Sequence, residues 1–79
     1  MSLHITLDAL KQVRENHVAF ELAKSKLERF LQNENDEPQP WLFPQVLAIT
    51  RERLTKCLQL EITDPSNLQT EIRKHLNLS

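Results

Sequence analysis

The chain has 79 residues and contains no glycine. Two-residue β-hairpins depend on glycine for the positive φ angles of their turns, so this chain has few ways to join tight antiparallel strands. Helix C-termini also favour glycine, but asparagine can take its place there. The good helix formers Leu, Lys, Glu, Gln and Ala are abundant. The sequence therefore predicts an all-α fold, and its length predicts a single small domain over residues 1–79.

The first predicted helix covers residues 6–32. Its seam residues recur at steps of three and four, which is typical of a helix that buries one face. The seam consists of Leu10, Val13, His17, Phe20, Lys24, Leu27 and Leu31. We expect Thr6 to cap the N-terminus of this helix. We expect His17 to be either a hydrogen-bonded core residue or a residue that sets the register of a dimer.

A polar, proline-punctuated linker over residues 33–43 separates this helix from two more, predicted over residues 44–61 and 65–77. Pro44 and Pro65 suit the first helical position, where the missing N–H would have no partner. The inner faces of these two helices consist of Leu47, Thr50, Leu54, Cys57, Leu58 and Glu61 on the second and Leu68, Ile72 and Leu76 on the third. The sequence thus predicts an antiparallel helical hairpin closed by a short third helix, as a three-helix bundle.

Four apolar residues lie off these seams, namely Val18, Leu22, Ile49 and Leu60, and Arg53 shares the side of Ile49. A chain this short buries only about 60% of its unfolded surface, so small domains often gain stability from a partner. One interpretation is that the third helix covers some of the four. The other is that they contact a protein partner, and a second copy of the chain is the first one to consider.

The stretch PQPWLFPQ, residues 38–45, is open to two interpretations. In the structural one, Phe43 packs onto Leu47 as a hydrophobic staple, and Trp41 folds over the end of the helical hairpin. In the functional one, Trp41 and Leu42 stay partly exposed as an anchor, since Trp is enriched at binding hot spots. The acidic neighbours Glu34, Asp36 and Glu37 would then favour a basic partner surface.

The residues that carry chemistry form no catalytic or metal-binding pattern. The single cysteine, Cys57, cannot form an internal disulfide, and the three histidines lack metal-ligand spacing. We predict that Cys57 is a small buried apolar residue rather than a nucleophile. The sequence therefore predicts no catalytic residue, no cofactor, no metal and no small-molecule substrate. It favours a non-enzymatic interaction module, such as an adaptor, a chaperone-like protein or a regulatory subunit, that acts through helix–helix contacts.

Charge and cysteine usage bear on partners and compartment. Ten Lys and Arg stand against eleven Asp and Glu, a balance that argues against a dedicated nucleic-acid binder. Only residues 32–43 are polarised, with three acidic groups and no basic one. A lone cysteine, the lack of an export signal and the lack of a run of about 20 apolar residues predict a cytoplasmic protein with no membrane span.

One alternative starts from LHITLDALKQV, residues 3–13, which alternates briefly before it turns helical. It resembles the start of ribbon–helix–helix DNA-binding proteins, whose N-terminal strands pair in a dimer and enter the major groove. The resemblance implies a dimeric DNA-binding regulator in which His4 and Thr6 face the bases. The stretch departs from that pattern because its strand carries no Lys or Arg, and because the turn would fall near Asn16 without glycine.

Overall fold

The structure is a computed structural model that describes residues 3–33 and 44–77. In these residues the secondary structure is entirely helical, which confirms the all-α prediction. The five α-helices are α1 (Leu7–Glu15), α2 (His17–Asn33), α3 (Pro44–Leu47), α4 (Arg51–Thr63) and α5 (Leu68–His75), and a 3-10 helix (Pro65–Asn67) precedes α5. None of the helices described has the length and apolar character needed to cross a bilayer.

Asn16 divides the first predicted helix in two. Its backbone is extended, with φ −123° and ψ 120°, so the prediction of one helix over residues 6–32 is wrong at this point. The N–H of Asn16 donates to the carbonyl of Gln12 at 2.7 Å and ends α1. Its side-chain Oδ1 accepts from the N–H of Val18 at 2.9 Å and starts α2. A short polar side chain that caps the backbone in this way competes with a continuous helix.

The break at Asn16 changes how the helices pack. α1 contacts both α2 and α4, and α4 contacts α5. Within residues 3–33 and 44–77, five α-helices stand where two long helices and a short one were predicted, so the predicted hairpin with a short third helix is not confirmed. α1 contributes Leu10 and Val13 to the core, and α4 contributes Leu54, Cys57 and Leu58, which confirms the prediction of a buried Cys57.

The second predicted helix is also interrupted. Thr50 has an extended backbone, with φ −82° and ψ 162°, and its hydroxyl accepts from the N–H of Arg53 at 3.2 Å. The preceding turn brings Val46 and Ile49 into the core and leaves Leu47 50% exposed. The predictions that Leu47 faces the core and that Ile49 lies off it are therefore wrong. Thr50 is a helix cap rather than a residue of the inner face.

The predicted apolar seams otherwise form the core. The buried side chains make one cluster: Leu3, Leu10, Val13, Phe20, Ala23, Leu27, Phe30, Leu31, Val46, Ile49, Leu54, Cys57, Leu58, Leu68, Ile72 and Leu76. The apolar members of the first seam and all three of the last helix are thus confirmed as buried. His17 is not, because its side chain is 71% exposed, so the interpretation of His17 as a core histidine is wrong.

Polar residues cap the start of α1 and end α5. The Thr6 hydroxyl accepts from the N–H of Ala9 at 3.2 Å and caps α1, as predicted. Asn77 has a φ of 58°, the left-handed conformation that glycine usually supplies after a helix. Its N–H donates to the carbonyl of Lys74 at 3.2 Å. Asparagine therefore ends α5 where no glycine exists to do so.

We predict that Asn16→Ala destabilises the fold by about 1 kcal/mol, the usual cost of losing an N-cap side chain. For a domain of this size that lowers the melting temperature by about 4–8 °C, which thermal denaturation followed by circular dichroism measures. Asn16→Asp is the matched control, because its carboxylate keeps an oxygen acceptor for the N–H of Val18. An Asn16→Ala protein as stable as the parent would show that the cap does not hold the α1–α2 break.

Candidate partner-binding surfaces

The predicted partner-binding residues separate into exposed and buried ones. Val18 and Leu22 are 65% and 59% exposed on α2, so their position off the core is confirmed. Ile49 is only 5% exposed and belongs to the core, so it cannot contact a partner without unfolding. Leu60 is partly buried and packs against the core cluster. The four residues therefore do not make one surface, and only the α2 pair is open to a partner.

Of the other three predicted partner-binding residues, the structure describes only Arg53. Arg53 is exposed and lines an open cavity of about 520 Å³ with Lys56 and His75. Trp41 and Leu42 lie outside the described residues, so the choice between a core closure and an exposed anchor stays a prediction.

One stripe of exposed residues follows the outer side of α2. Val18, Leu22, Ser25 and Arg29 are spaced by four, three and four positions, so they fall on one face of the helix, and all four are exposed. We call these four residues the α2 surface. Its first half is apolar, its centre carries the small Ser25, and its end is the cationic Arg29. A surface with this spacing can pack against another helix.

A cluster around Phe20 joins α2 to the segment that follows the linker. The Lys24 Nζ lies 5.2 Å from the centre of the Phe20 ring, and the Arg51 guanidinium carbon lies 5.5 Å from it. Lys24 Nζ also donates to the carbonyl of Leu47 at 3.3 Å. Arg51 Nη2 is 3.4 Å from His17 Nδ1, which places the exposed His17 at the edge of this cluster. Each cation–π contact contributes on the order of 0.5–1 kcal/mol at an exposed site, so the cluster fixes the start of α4 against α2.

Sequence reasoning missed the Phe20 cluster because its cations come from both sides of the linker. Lys24 was predicted as a polar member of the seam, which is compatible with its side chain being only 17% exposed. Nothing in the sequence pattern pairs Arg51 with His17, since they are 34 positions apart. The cluster stabilises packing and brings together no nucleophile with a base.

Two titratable groups have raised pKa values. Burial raises the pKa of the Cys57 thiol to about 11, although the nearby Arg53 charge acts the other way. Since the thiolate is the reactive form, Cys57 is a poor nucleophile. Burial also raises the pKa of the Glu61 carboxyl, against the charges of His4 and Lys26 and the N–H of Ile5. Its Oε2 is buried without a hydrogen-bond partner. Both shifts thus come from desolvation.

Neither metal-binding geometry in the described residues nor a known relative indicates a function. In residues 3–33 and 44–77, no group of three or more His, Cys, Asp or Glu side chains is placed to hold a metal ion. Comparison of the chain with family models, with curated proteins and with solved structures found no match. Function is therefore inferred from the surfaces of this molecule alone.

We predict that Glu61→Gln stabilises the protein at about pH 7 and leaves its stability unchanged at about pH 3. The pKa of Glu61 is higher in the folded protein than in the unfolded chain, so folding favours the protonated carboxyl. The stability that this protonated carboxyl contributes is complete below the unfolded pKa and is lost as pH rises through the folded pKa. Glutamine stays neutral at every pH and keeps an oxygen that can accept from the Ile5 N–H. The melting temperature measured at both pH values tests this.

Glu52→Gln is the control for the Glu61 prediction. Glu52 is an exposed carboxylate in the first turn of α4, where a negative charge is favourable. We expect its replacement to lower the melting temperature slightly at neutral pH, opposite in sign to Glu61→Gln. If Glu61→Gln instead lowered it at neutral pH, the buried carboxylate would be making a favourable interaction that outweighs its desolvation.

Proposed function

We propose that the protein is a non-enzymatic interaction module that binds another helix through the α2 surface, and that its first partner is a second copy of itself. The observation that carries the proposal is the exposure of Val18 and Leu22 on consecutive turns of one helix, at 65% and 59%. Single exposed apolar residues are normal on proteins. Two on adjacent turns, followed by the small Ser25, instead offer a flat strip onto which a helix can pack.

A second copy is the first partner to consider, because a two-fold interface uses the same patch on both copies. When two copies of α2 pack antiparallel about a two-fold axis between Leu22 and Ser25, each Leu22 lies against the small Ser25 of the other copy. Glu21 and Lys26 are exposed on either side of this strip, and Glu21 already pairs with Lys24 of its own helix at 3.6 Å. These charges therefore stay at the solvated rim of the interface.

The module fits the role of an adaptor, a chaperone-like protein or a regulatory subunit that works in the cytoplasm. The unreactive, buried Cys57 suits a protein kept in a reducing compartment. Trp41 and Leu42 remain candidates for a further anchor. A dimeric DNA-binding regulator of the ribbon–helix–helix kind has less support, because the Thr6 hydroxyl is engaged in capping α1 and Leu3 is buried in the core.

We predict that Leu22→Asp raises the dissociation constant of the dimer by about tenfold or more, because it places a charge in the centre of the interface. Sedimentation equilibrium across a wide concentration range measures that constant. Ile62→Asp is the matched control, since Ile62 is also exposed, at 42%, but lies on α4. We expect it to leave the constant unchanged.

Circular dichroism first establishes that both variants fold. A parent protein that stays monomeric throughout would contradict self-association through α2. So would a Leu22→Asp protein that dimerises as tightly as the parent.

A further inference from the structure

Basic side chains line open grooves on both sides of α4. The groove between α1 and α4 contains a cavity of about 620 Å³, lined by Lys11 and Arg14 among others. On the other side, a cavity of about 520 Å³ lies between α4, the turn before it and the end of α5, and Arg53 and Lys56 line it. A smaller cavity of about 240 Å³ shares Arg14 with the first and Lys56 with the second, so the three cavities adjoin one another. We call their combined surface the basic groove.

The cations of the basic groove contrast with two lysines elsewhere that form ion pairs. Lys24 and Lys74 have carboxylate partners at 3.6 and 3.7 Å, Glu21 and Glu71. Among the residues that the structure describes, the four groove cations form no such pair. Those four cations are Lys11, Arg14, Arg53 and Lys56.

The charges that line the groove do not cancel. Its carboxylates are Glu15 and Glu52, so four permanent positive charges face two negative ones. The chain as a whole carries a net charge of −1, which makes the positive balance local to this surface. An occupant with several negative charges would complement it and be attracted to it at low salt.

The groove also has an apolar end. Leu7 lines the cavity between α1 and α4 and is 69% exposed, more than any other large hydrophobic residue among those described. Thr55 and Gln59 line this cavity on the α4 side. A complementary partner therefore presents both carboxylates and an apolar side chain on the same face.

We propose that the basic groove binds an acidic amphipathic helix of a partner protein. Its carboxylates contact the cations of α1 and α4, and an apolar residue of the same face packs on Leu7. The proposal does not depend on the α2 surface, whose residues lie on another helix. A protein that dimerises through α2 can hold such a helix on each copy.

A protein helix suits this groove better than the phosphate backbone of a nucleic acid. Phosphates follow one another at short, regular spacing, so they would also meet Glu15 and Glu52. A helix can place neutral residues opposite those two carboxylates and acidic ones opposite the cations. The exposed Leu7 gains from an apolar side chain, which a phosphate backbone does not offer.

The test measures fluorescence anisotropy of a labelled synthetic peptide of about 20 residues, long enough to form a helix, with Glu and Leu on one face. A matched peptide carries Gln at every Glu position, and a short DNA duplex is the third probe. We expect the parent protein to bind the acidic peptide, less tightly at high salt, and to bind the other two probes much more weakly.

Variants then locate the binding on the surface. Arg14→Glu with Lys56→Glu reverses two groove charges, and we expect it to weaken peptide binding by about tenfold or more. The control is Lys26→Glu with Arg29→Glu, which changes the net charge of the protein by the same amount but on α2. We expect this control to leave peptide binding unchanged. Leu22→Asp should also bind the peptide normally, so a failure of dimerisation and a failure of the groove are told apart.

Five results would each overturn the proposal. The first four are no binding of the acidic peptide, equal binding of the Gln peptide, tighter binding of the DNA duplex, and full binding by the Arg14→Glu, Lys56→Glu protein. Tighter binding of DNA would assign the groove to nucleic acid. The fifth is equal loss in the groove and the α2 charge-reversal variants, which would mean that net charge alone attracts the peptide.

Discussion

Two of the hydrogen bonds that Asn16 makes with the backbone determine the arrangement of the helices. One ends α1 and the other begins α2, so a segment with the periodicity of one long helix becomes two helices that contact each other. α1 then also contacts α4, and both add buried residues to one core. The outer side of α2 is left uncovered by this packing. Both proposed binding surfaces thus depend on the chain turning at Asn16.

Much of the core could be predicted from the spacing of apolar residues. Leu10, Val13, Phe20, Leu27 and Leu31 are buried as expected, because the periodicity holds within each of the two helices that contain them. The apolar pattern does not predict the breaks at Asn16 and Thr50, because each break depends on a hydrogen bond between a capping side chain and the backbone. A signal did exist at Thr50, where a threonine is followed by Glu52 in the first turn of a helix.

The candidate surfaces could be predicted only in part. Val18 and Leu22 were found because their place on the helix follows from local spacing alone. Ile49 was misplaced because the turn before α4 rotates it into the core. The basic groove could not be found from local patterns, since Arg14 and Lys56 come from helices that meet only in the folded chain. Exposed apolar residues on a regular helix are thus easier to predict than a surface assembled from several elements.

The α2 surface is proposed to bind a second copy of the chain, and the basic groove beside α4 is proposed to bind an acidic helix of a partner protein. The most direct test of the first assignment is a series of ¹H–¹⁵N correlation spectra recorded across concentrations that span dimer dissociation. The account predicts that the shifts that change with concentration belong to residues on and beside the α2 surface, Val18 to Arg29. Concentration-dependent shifts confined to α4 and α5, or a protein that is monomeric at every concentration, would contradict it.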